Sequence, residues 1–244
     1  METTILSYWD NTYQFSDISK ILDLQDSNTG AKCIILDHTI MYPQGGGQPY
    51  DTGIITHEDR IFHVNEVRFK DGLVFHLGTF ENDSFDANIL VNVHIDEERR
   101  KLNARLHTAG HLVDDAMYEL GYKLIPNKGY HFPDGPYVEY FGVMDGNLEQ
   151  IADEIENKIN QIIKSNFKVQ AEIISEVSQL VGKVMHIPQH LPEGKPIRIV
   201  YVSEPSRGQP CGGTHVQYLM EVEHVSIPKI KIKNGNTKIS YLIK

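Results

Sequence analysis

The chain has 244 residues, of which 40% are apolar and 23% are charged, a composition that excludes global disorder. Its 23 Lys and Arg against 33 Asp and Glu give a formal net charge of −10, which excludes nucleic-acid binding by overall attraction and requires a local basic patch instead. No run approaches the roughly 18 consecutive apolar residues of a membrane helix, and Cys33 and Cys211 are too few for a disulfide framework. We therefore expect a cytoplasmic protein with reduced thiols and no membrane partner.

Residues 1–90 are predicted to form a β-rich module. Short runs of β-branched and aromatic residues, Lys32–Asp37, Arg60–Arg68 and Leu73–Leu77, are separated by turn residues. Asp71-Gly72 gives a hairpin signal between the last two runs. The switch from this pattern to a helical period near residue 90 predicts a second domain over residues 91–244.

The second part is predicted to be α+β. Apolar residues recur every three or four positions from Leu102 to Leu120, which predicts a helix of about six turns that begins near Asp96 and is capped by Gly121. Asn147 is placed to cap a second helix. Strands are predicted around the helices over Tyr137–Val143, Val169–Ile174, Pro196–Val202, Gln217–His224, Lys229–Lys233 and Lys238–Ile243.

Two basic stretches are candidates for a nucleic-acid contact. One comprises Arg99, Arg100, Lys101 and Arg105, and the other comprises Lys229, Lys231, Lys233, Lys238 and Lys244, with no acidic residue over 227–244. The alternative is that both are ordinary solvated faces of helix and strand.

Two histidines four residues apart on the first helix have the spacing of metal ligands. His107 and His111 lie about 40° apart around a helix axis and about 6 Å apart along it, so that their side chains project together, away from the apolar stripe. Two histidines with this spacing can also be ordinary surface or packing residues, so the spacing alone does not show that they bind a metal.

A second feature supports a metal site. Cys211-Gly212-Gly213-Thr214-His215 offers a thiol and an imidazole in one glycine-containing turn, and Cys and His are preferred zinc ligands. Together the two features predict a shared site of three His and one Cys. His186 and His190 repeat the four-residue spacing, but Pro188 prevents a regular helix, and we expect a loop without ligands. The remaining histidines are expected to be surface or hydrogen-bonded residues: His38, His57, His63, His76, His94, His131 and His224.

A glycine-rich motif precedes both features. Three consecutive glycines, Gly45, Gly46 and Gly47, are followed by Gln48 and by Asp51. The motif lacks the Lys-Ser/Thr of a phosphate-binding loop, so it gives no support for ATP binding. Glycines in such a run serve a tight turn or the close approach of a ligand to the backbone, and the sequence leaves both open.

These three motifs, in this order, resemble the free-standing alanyl-tRNA editing proteins of the AlaX type, which are similar to the editing domain of alanyl-tRNA synthetase. The resemblance covers nearly the whole chain. It implies an α+β fold in which a barrel-like N-terminal module precedes an editing domain whose long ligand-bearing helix packs on an antiparallel sheet. It also implies hydrolysis of the ester that joins a wrong amino acid, typically serine and sometimes glycine, to tRNA for alanine.

The same resemblance assigns roles to individual residues. It implies that His107, His111, Cys211 and His215 are the zinc ligands and catalytic residues. Substrate contacts are implied for Gly45, Gly46, Gly47 and Gln48, and for Asn127, which stands where related domains often have a glutamine. Related domains also often have a hydroxyl residue where this chain has Gly110, which leaves the choice among serine, glycine and alanine open.

Several chemical interpretations fit these residues. With all four side chains coordinated, the zinc site is closed and structural; with one imidazole free, water takes the open position and the imidazole becomes a base. In a third interpretation the same residues act without metal, as in the similar editing domain of threonyl-tRNA synthetase. We rank zinc-assisted hydrolysis first. The alternatives are a non-catalytic, zinc-stabilised RNA-binding module and a zinc hydrolase of another ester.

Overall fold

A computed structural model describes residues 3–26, 32–188, 196–205 and 207–244. The chain divides into two compact units, one formed by Met1–Gly45 with Pro49–Leu102 and the other by Gly46–Gln48 with Asn103–Lys244. Within the described residues, no helix is both long enough and apolar enough to cross a membrane. The predicted domain boundary at residue 90 remains a prediction.

The first unit is built around a closed barrel. Its strands are β1 (Ile5–Leu6), β2 (Ser16–Asp26), β3 (Lys32–Leu36), β4 (His38–Thr39), β5 (Gly53–His57), β6 (Arg60–Lys70), β7 (Leu73–Phe80) and β8 (Leu90–Ile95). The barrel has the order β2-β3-β7-β6-β5-β8, and β1 pairs with β4 beside it. Alternate residues point inward, so that Phe62, Val64, Val91 and Val93 are buried while their neighbours are not. Asp71 and Gly72 both have positive φ and make the predicted β6–β7 hairpin turn.

The end of the glycine motif is anchored in this unit by a buried ion pair. Asp51 and Arg100 are both completely buried and form an ion pair, and Asp51 also accepts a hydrogen bond of 2.7 Å from the Tyr42 backbone N–H. Two strands then approach closely at Gly53, where a Cβ atom would lie 2.1 Å from the His94 carbonyl oxygen. Asp51 and Gly53 are thus explained by the packing of the barrel.

The second unit combines two helices with two antiparallel sheets. Its helices are α1 (Glu97–Glu119), which enters the unit at Asn103, and α2 (Leu148–Lys164). The strands are β9 (Ile125–Tyr130), β10 (Tyr137–Phe141), β11 (Gln170–Ile174), β12 (Ile197–Tyr201), β13 (Gln209–Pro210), β14 (Val225–Lys233) and β15 (Asn236–Ile243). The larger sheet has the order β14-β15-β10-β9, and the smaller has the order β11-β12-β13.

One hydrophobic core joins α1 and α2 to the larger sheet. It includes Leu106 and Val113 of α1, Ile155 of α2, and Ile230 and Ile239 of the sheet. The Asn147 side chain caps α2 by accepting hydrogen bonds from two backbone N–H groups of its first turn. The predicted α+β class, with a barrel-like N-terminal module and a long helix packed on an antiparallel sheet, is confirmed.

Two local predictions are corrected. The segment Gln217–His224 is not a strand, because Leu219–Val222 forms a 3₁₀ turn whose two end residues are buried in the core. Leu102, placed on the apolar stripe of α1, is 38% exposed, because Arg100, Asn103 and Ala104 occupy the buried face of this part of the helix instead. Strands β2, β5 and β9, which the run pattern did not single out, complete the two main sheets.

Candidate active site

Four side chains of the second unit converge on one point. His107 and His111 come from successive turns of α1, and Cys211 and His215 come from the segment after β13. Their ligand atoms all lie within 4.8 Å of one another. The Cys211 Sγ atom is 3.4 Å from His107 Nε2 and 3.4 Å from His215 Nε2. The structure thus brings together the four residues that the sequence suggested as ligands.

The glycines of the Cys211–His215 segment let it come close to α1. The Gly213 N–H points at the Cys211 Sγ atom at 3.3 Å. A Cβ atom at Gly213 would lie 2.1 Å from the Cε1 atom of His107 and 2.3 Å from its Nδ1 atom. Glycine is needed here because any side chain would occupy the space of the His107 ring.

Gln48 sets the orientation and tautomer of His107. It is completely buried, and its Oε1 atom lies 2.7 Å from His107 Nδ1 and accepts a second hydrogen bond of 3.0 Å from the Thr214 N–H. Its amide nitrogen donates to the Thr214 hydroxyl at 2.9 Å. Because Oε1 can only accept, His107 carries its proton on Nδ1 and directs the Nε2 lone pair toward the cluster.

Thr108 plays the same part for His215. The Thr108 hydroxyl donates to the Ala104 carbonyl at 2.8 Å, so its contact of 3.1 Å with His215 Nδ1 is one in which the imidazole N–H donates. The Val216 N–H also donates to this hydroxyl, at 3.2 Å. His215 therefore carries its proton on Nδ1 and directs an unprotonated Nε2 atom toward the cluster.

Burial keeps these histidines neutral. It lowers the pKa of His111 to about 3 and holds the pKa values of His107 and His215 well below their ordinary 6.5, with further lowering from neighbouring histidines and from Arg198. Burial also raises the pKa of the Cys211 thiol. Neutral imidazoles are ready to coordinate a cation, and a bound cation would favour the thiolate that burial alone disfavours.

The donor set fits zinc. Imidazole nitrogen and thiolate sulfur are the ligands that zinc prefers, and four of them suit its tetrahedral geometry. His107 and His215 have the fixed second hydrogen bond that metal-bound histidines commonly show. The Nδ1 atom of His111 is buried and has no hydrogen-bond partner among the described residues, as expected of a polar atom that lacks its natural ligand.

His131 is a site residue that the sequence did not reveal. Its ring stacks on His107 with centroids 4.5 Å apart, and burial lowers its pKa to about 4. Its Nδ1 atom lies 2.7 Å from the Tyr241 hydroxyl, which itself donates to the Leu106 carbonyl. As a hydrogen-bonded histidine it matches the prediction, but its place against His107 was hidden because α1 and β9 are joined only through tertiary packing.

Glycines make the space that His131 fills. A Cβ atom at Gly110 would lie 2.3 Å from His131 Cε1, and one at Gly129 would lie 2.4 Å from His131 Nε2. Gly47 accepts a hydrogen bond of 2.8 Å from the His131 N–H, and a Cβ atom at Gly47 would lie 2.4 Å from the Gly129 carbonyl oxygen. Gly110, the departure from related sequences, is thus explained by the ring that lies against it.

Gly45, Gly46 and Asn127, which were also predicted to contact the substrate, lie in surroundings that differ from one residue to the next. Gly45 lies in the first unit, and a Cβ atom there would meet nothing closer than 3.7 Å. Gly46 has φ +52° and belongs with Gly47 to the second unit. Asn127 donates to Glu139 at 2.8 Å and lines a cavity of about 500 Å³, together with the segment 208–210 that leads to Cys211.

Among the described residues, neither His186 nor the first basic stretch belongs to the ligand cluster or to an open cationic patch. His186 is exposed in a loop, as expected, and His190 lies outside the described residues. Arg100 is the buried partner of Asp51, and Lys101 pairs with a glutamate one turn earlier. Arg99 and Arg105 donate to backbone carbonyls. The stretch Arg99–Arg105 is therefore not an open cationic patch.

Comparison with known proteins agrees with the motifs. The family model described as tRNA synthetases class II (A) matches residues 3–99. The alanyl-tRNA editing protein AlaX-L of Pyrococcus horikoshii is 29% identical over 234 residues, which cover 94% of this chain and 55% of that protein. Alanine–tRNA ligases of Halobacterium salinarum and Methanosarcina barkeri are 30% and 32% identical over 96% of this chain. This chain is a homologue of the alanyl-tRNA editing and synthetase proteins.

The resemblance stated from the three motifs is thereby confirmed. The matches run along nearly the whole of this chain, whereas the chain spans about a quarter of the length of these ligases and about half of AlaX-L.

Proposed function

We propose that this homologue of the alanyl-tRNA editing proteins is a trans-editing deacylase that acts on mischarged tRNA for alanine, with seryl-tRNA as first substrate and glycyl-tRNA as second. The observation that carries the proposal is the convergence of His107, His111, Cys211 and His215 with their ligand atoms within 4.8 Å. The relative named AlaX-L supports the substrate class. The proposed partner is tRNA, and the proposed compartment is the cytoplasm.

Zinc is the proposed cofactor, and these four side chains are its candidate ligands. With three of them coordinated and the fourth position open, zinc would supply Lewis-acid activation of the ester carbonyl and of water. Gln48 and Thr108 keep the Nε2 lone pairs of His107 and His215 directed at the cluster, so their rings need no reorganisation. The low pKa values of the histidines favour ligation over proton acceptance, which supports the zinc mechanism above the metal-free one.

The reaction is the hydrolysis of an activated ester. The oxygen of water adds to the ester carbonyl carbon, the bond to the ribose oxygen breaks, and that oxygen takes up a proton, which releases the amino acid and the tRNA. We assign Gln48 a positioning role through His107, since both its amide atoms are engaged within the site. Substrate contacts by Gly45, Gly46, Gly47 and Asn127 stay predictions.

The decisive experiment incubates the protein with seryl-, glycyl- and alanyl-tRNA and follows the release of free amino acid. We expect release from seryl-tRNA, less from glycyl-tRNA, and little from alanyl-tRNA. No release from any of the three would reject the proposal and favour the RNA-binding module. Release from simple esters but from no aminoacyl-tRNA would indicate a hydrolase of another ester.

The ligand assignment has its own test. Elemental analysis of protein purified without added metal is expected to show about one zinc per chain, and Cys211→Ala is expected to lower that content. His186→Ala is the control, because His186 is exposed and outside the cluster. Equal zinc in all three proteins would show that Cys211 is not a ligand. Full activity in the presence of a chelator would establish the metal-free mechanism.

A further inference from the structure

The larger sheet of the second unit has an outer face that the proposed chemistry does not use. Its inner face packs on the helices through residues such as Ile230, Ile239 and Val138. Strand registers place Lys231 of β14 opposite Lys238 of β15, Lys238 opposite Glu139 of β10, and Glu139 opposite Lys128 of β9. Since paired residues project to the same side, these four residues form a row across the outer face.

This outer face is basic in a chain whose net charge is −10. Its lysines form no ion pair within the part of the chain that the structure describes: Lys128, Lys229, Lys231, Lys233 and Lys238. The acid in their row, Glu139, accepts hydrogen bonds from two asparagine side chains. Lys231 and Lys238 lie directly opposite each other, an unfavourable like-charge pair that an anionic ligand would relieve.

Aromatic rings occupy the neighbouring row. Phe132, Tyr130 and Tyr137 form a column, with ring centroids 4.6 Å and 5.4 Å apart and nearly parallel planes. The Lys238 ammonium group lies 3.3 Å from the centre of the Tyr137 ring and closes the column at that end. A column of rings beside a row of cations is the arrangement by which a sheet holds unpaired bases and their phosphates.

We infer that this outer face, defined by the five lysines and by Tyr130, Phe132 and Tyr137, binds single-stranded RNA. The phosphates lie along the lysines, and a base continues the aromatic column at its Phe132 end. The inference deepens the proposed function, because it assigns the face to an unpaired segment of the tRNA substrate. Tyr130 and Phe132 flank His131, whose own side chain projects to the opposite side of the strand and stacks on His107. The segment 130–132 thus contacts the candidate active site through His131 and carries two rings of the outer face on its other side.

The test uses the whole protein and a short fluorescein-labelled single-stranded oligoribonucleotide, with binding followed by fluorescence anisotropy at several salt concentrations. Lys231→Glu is expected to weaken binding and to flatten the plot of log affinity against log salt by about 0.7 for each phosphate that the variant no longer neutralises. Lys164→Glu, which makes the same change of charge at the end of α2, is the matched control and is expected to keep the slope. Equal slopes in the two variants would overturn the inference.

The aromatic column is tested separately. Phe132→Leu is expected to lower affinity by roughly 5-fold to 150-fold, the range that corresponds to the stacking of one base, while Phe132→Tyr keeps the ring and the affinity. Unchanged affinity in the leucine variant would remove the column from the binding face. Equal binding of an RNA duplex, or of polyglutamate, would show a general polyanion surface and would reject selection for single strands.

These measurements stand apart from the deacylation assay, because the oligonucleotide carries no ester. If the unaltered protein hydrolyses aminoacyl-tRNA but does not bind the oligonucleotide, the inference about the outer face alone is rejected. Intact binding without hydrolysis of any aminoacyl-tRNA would reject the proposed reaction and leave the RNA face in place.

Discussion

Adding one methyl group at Gly213 is the most direct way to disturb the ligand cluster without removing a ligand. An ideal Cβ atom there lies 2.1 Å from His107 Cε1 and 3.0 Å from Gln48 Oε1, whereas ordinary contacts begin at 3.4 Å. To restore an ordinary contact distance of 3.4 Å from the 2.1 Å found here, the His107 ring must move away from the new Cβ atom by about 1.3 Å. Zinc–nitrogen distances vary by only about 0.2 Å, so this retreat takes Nε2 out of coordination range.

Gly213→Ala is therefore expected to reduce zinc affinity by about 10-fold to 100-fold, which corresponds to about 1.4 to 2.7 kcal/mol of binding free energy. The assay is competition for zinc with a chromogenic chelator. The methyl group is also expected to destabilise the fold by about 1 to 3 kcal/mol through overpacking. Thermal unfolding in excess zinc therefore checks that the variant used in the assay is folded.

Gly45→Ala is the matched control for this prediction. A Cβ atom at Gly45 meets nothing within 3.7 Å, and its φ lies outside the positive range, so zinc affinity and stability are expected to stay unchanged. If a folded Gly213→Ala protein binds zinc as tightly as the Gly45→Ala protein, His107 is not a ligand and the reasoning about the cluster is refuted.

Three further perturbations test the surroundings of the site and the barrel. Asp51→Ala leaves Arg100 buried without its carboxylate and is expected to cost about 3 to 5 kcal/mol in urea unfolding; a loss below about 1 kcal/mol would contradict a buried pair. Gln48→Ala removes the acceptor that fixes the His107 tautomer and is expected to weaken zinc binding about 10-fold to 100-fold, so unchanged affinity would assign Gln48 another role. Burial lowers the pKa of His76 to about 4, so the stability it contributes is complete above pH 6.5 and is lost as pH falls toward 4, by up to about 3 kcal/mol. His76→Gln is expected to make the unfolding free energy less dependent on pH over that range. If the unfolding free energies of the two proteins fall equally with pH, His76 is not the group responsible.

Local chemistry made much of the site predictable. The period of α1 and the four-residue spacing of His107 and His111 depend only on helix geometry, and the turn at Cys211–His215 depends only on residue types within five positions. The strand predicted over Gln217–His224 failed for the opposite reason. Its Tyr218 and Val222 suit a sheet, but the preference of aromatic and β-branched residues for strands depends on neighbours that the local sequence does not contain.

By itself, the sequence determined the fold class, the long ligand-bearing helix, the four candidate ligands and the family, because each follows from a pattern that is local or carried by a motif. The tertiary structure alone decided which groups hold those ligands in place. Gln48 meets His107 across 59 positions and His131 meets Tyr241 across 110, and no periodicity relates residues so far apart. It also decided that Arg100 is a buried structural partner while the lysines of β14 and β15 share an open face. The sequence shows a basic side chain in both cases, and only tertiary packing determines whether that side chain is surrounded by water or paired with a buried carboxylate.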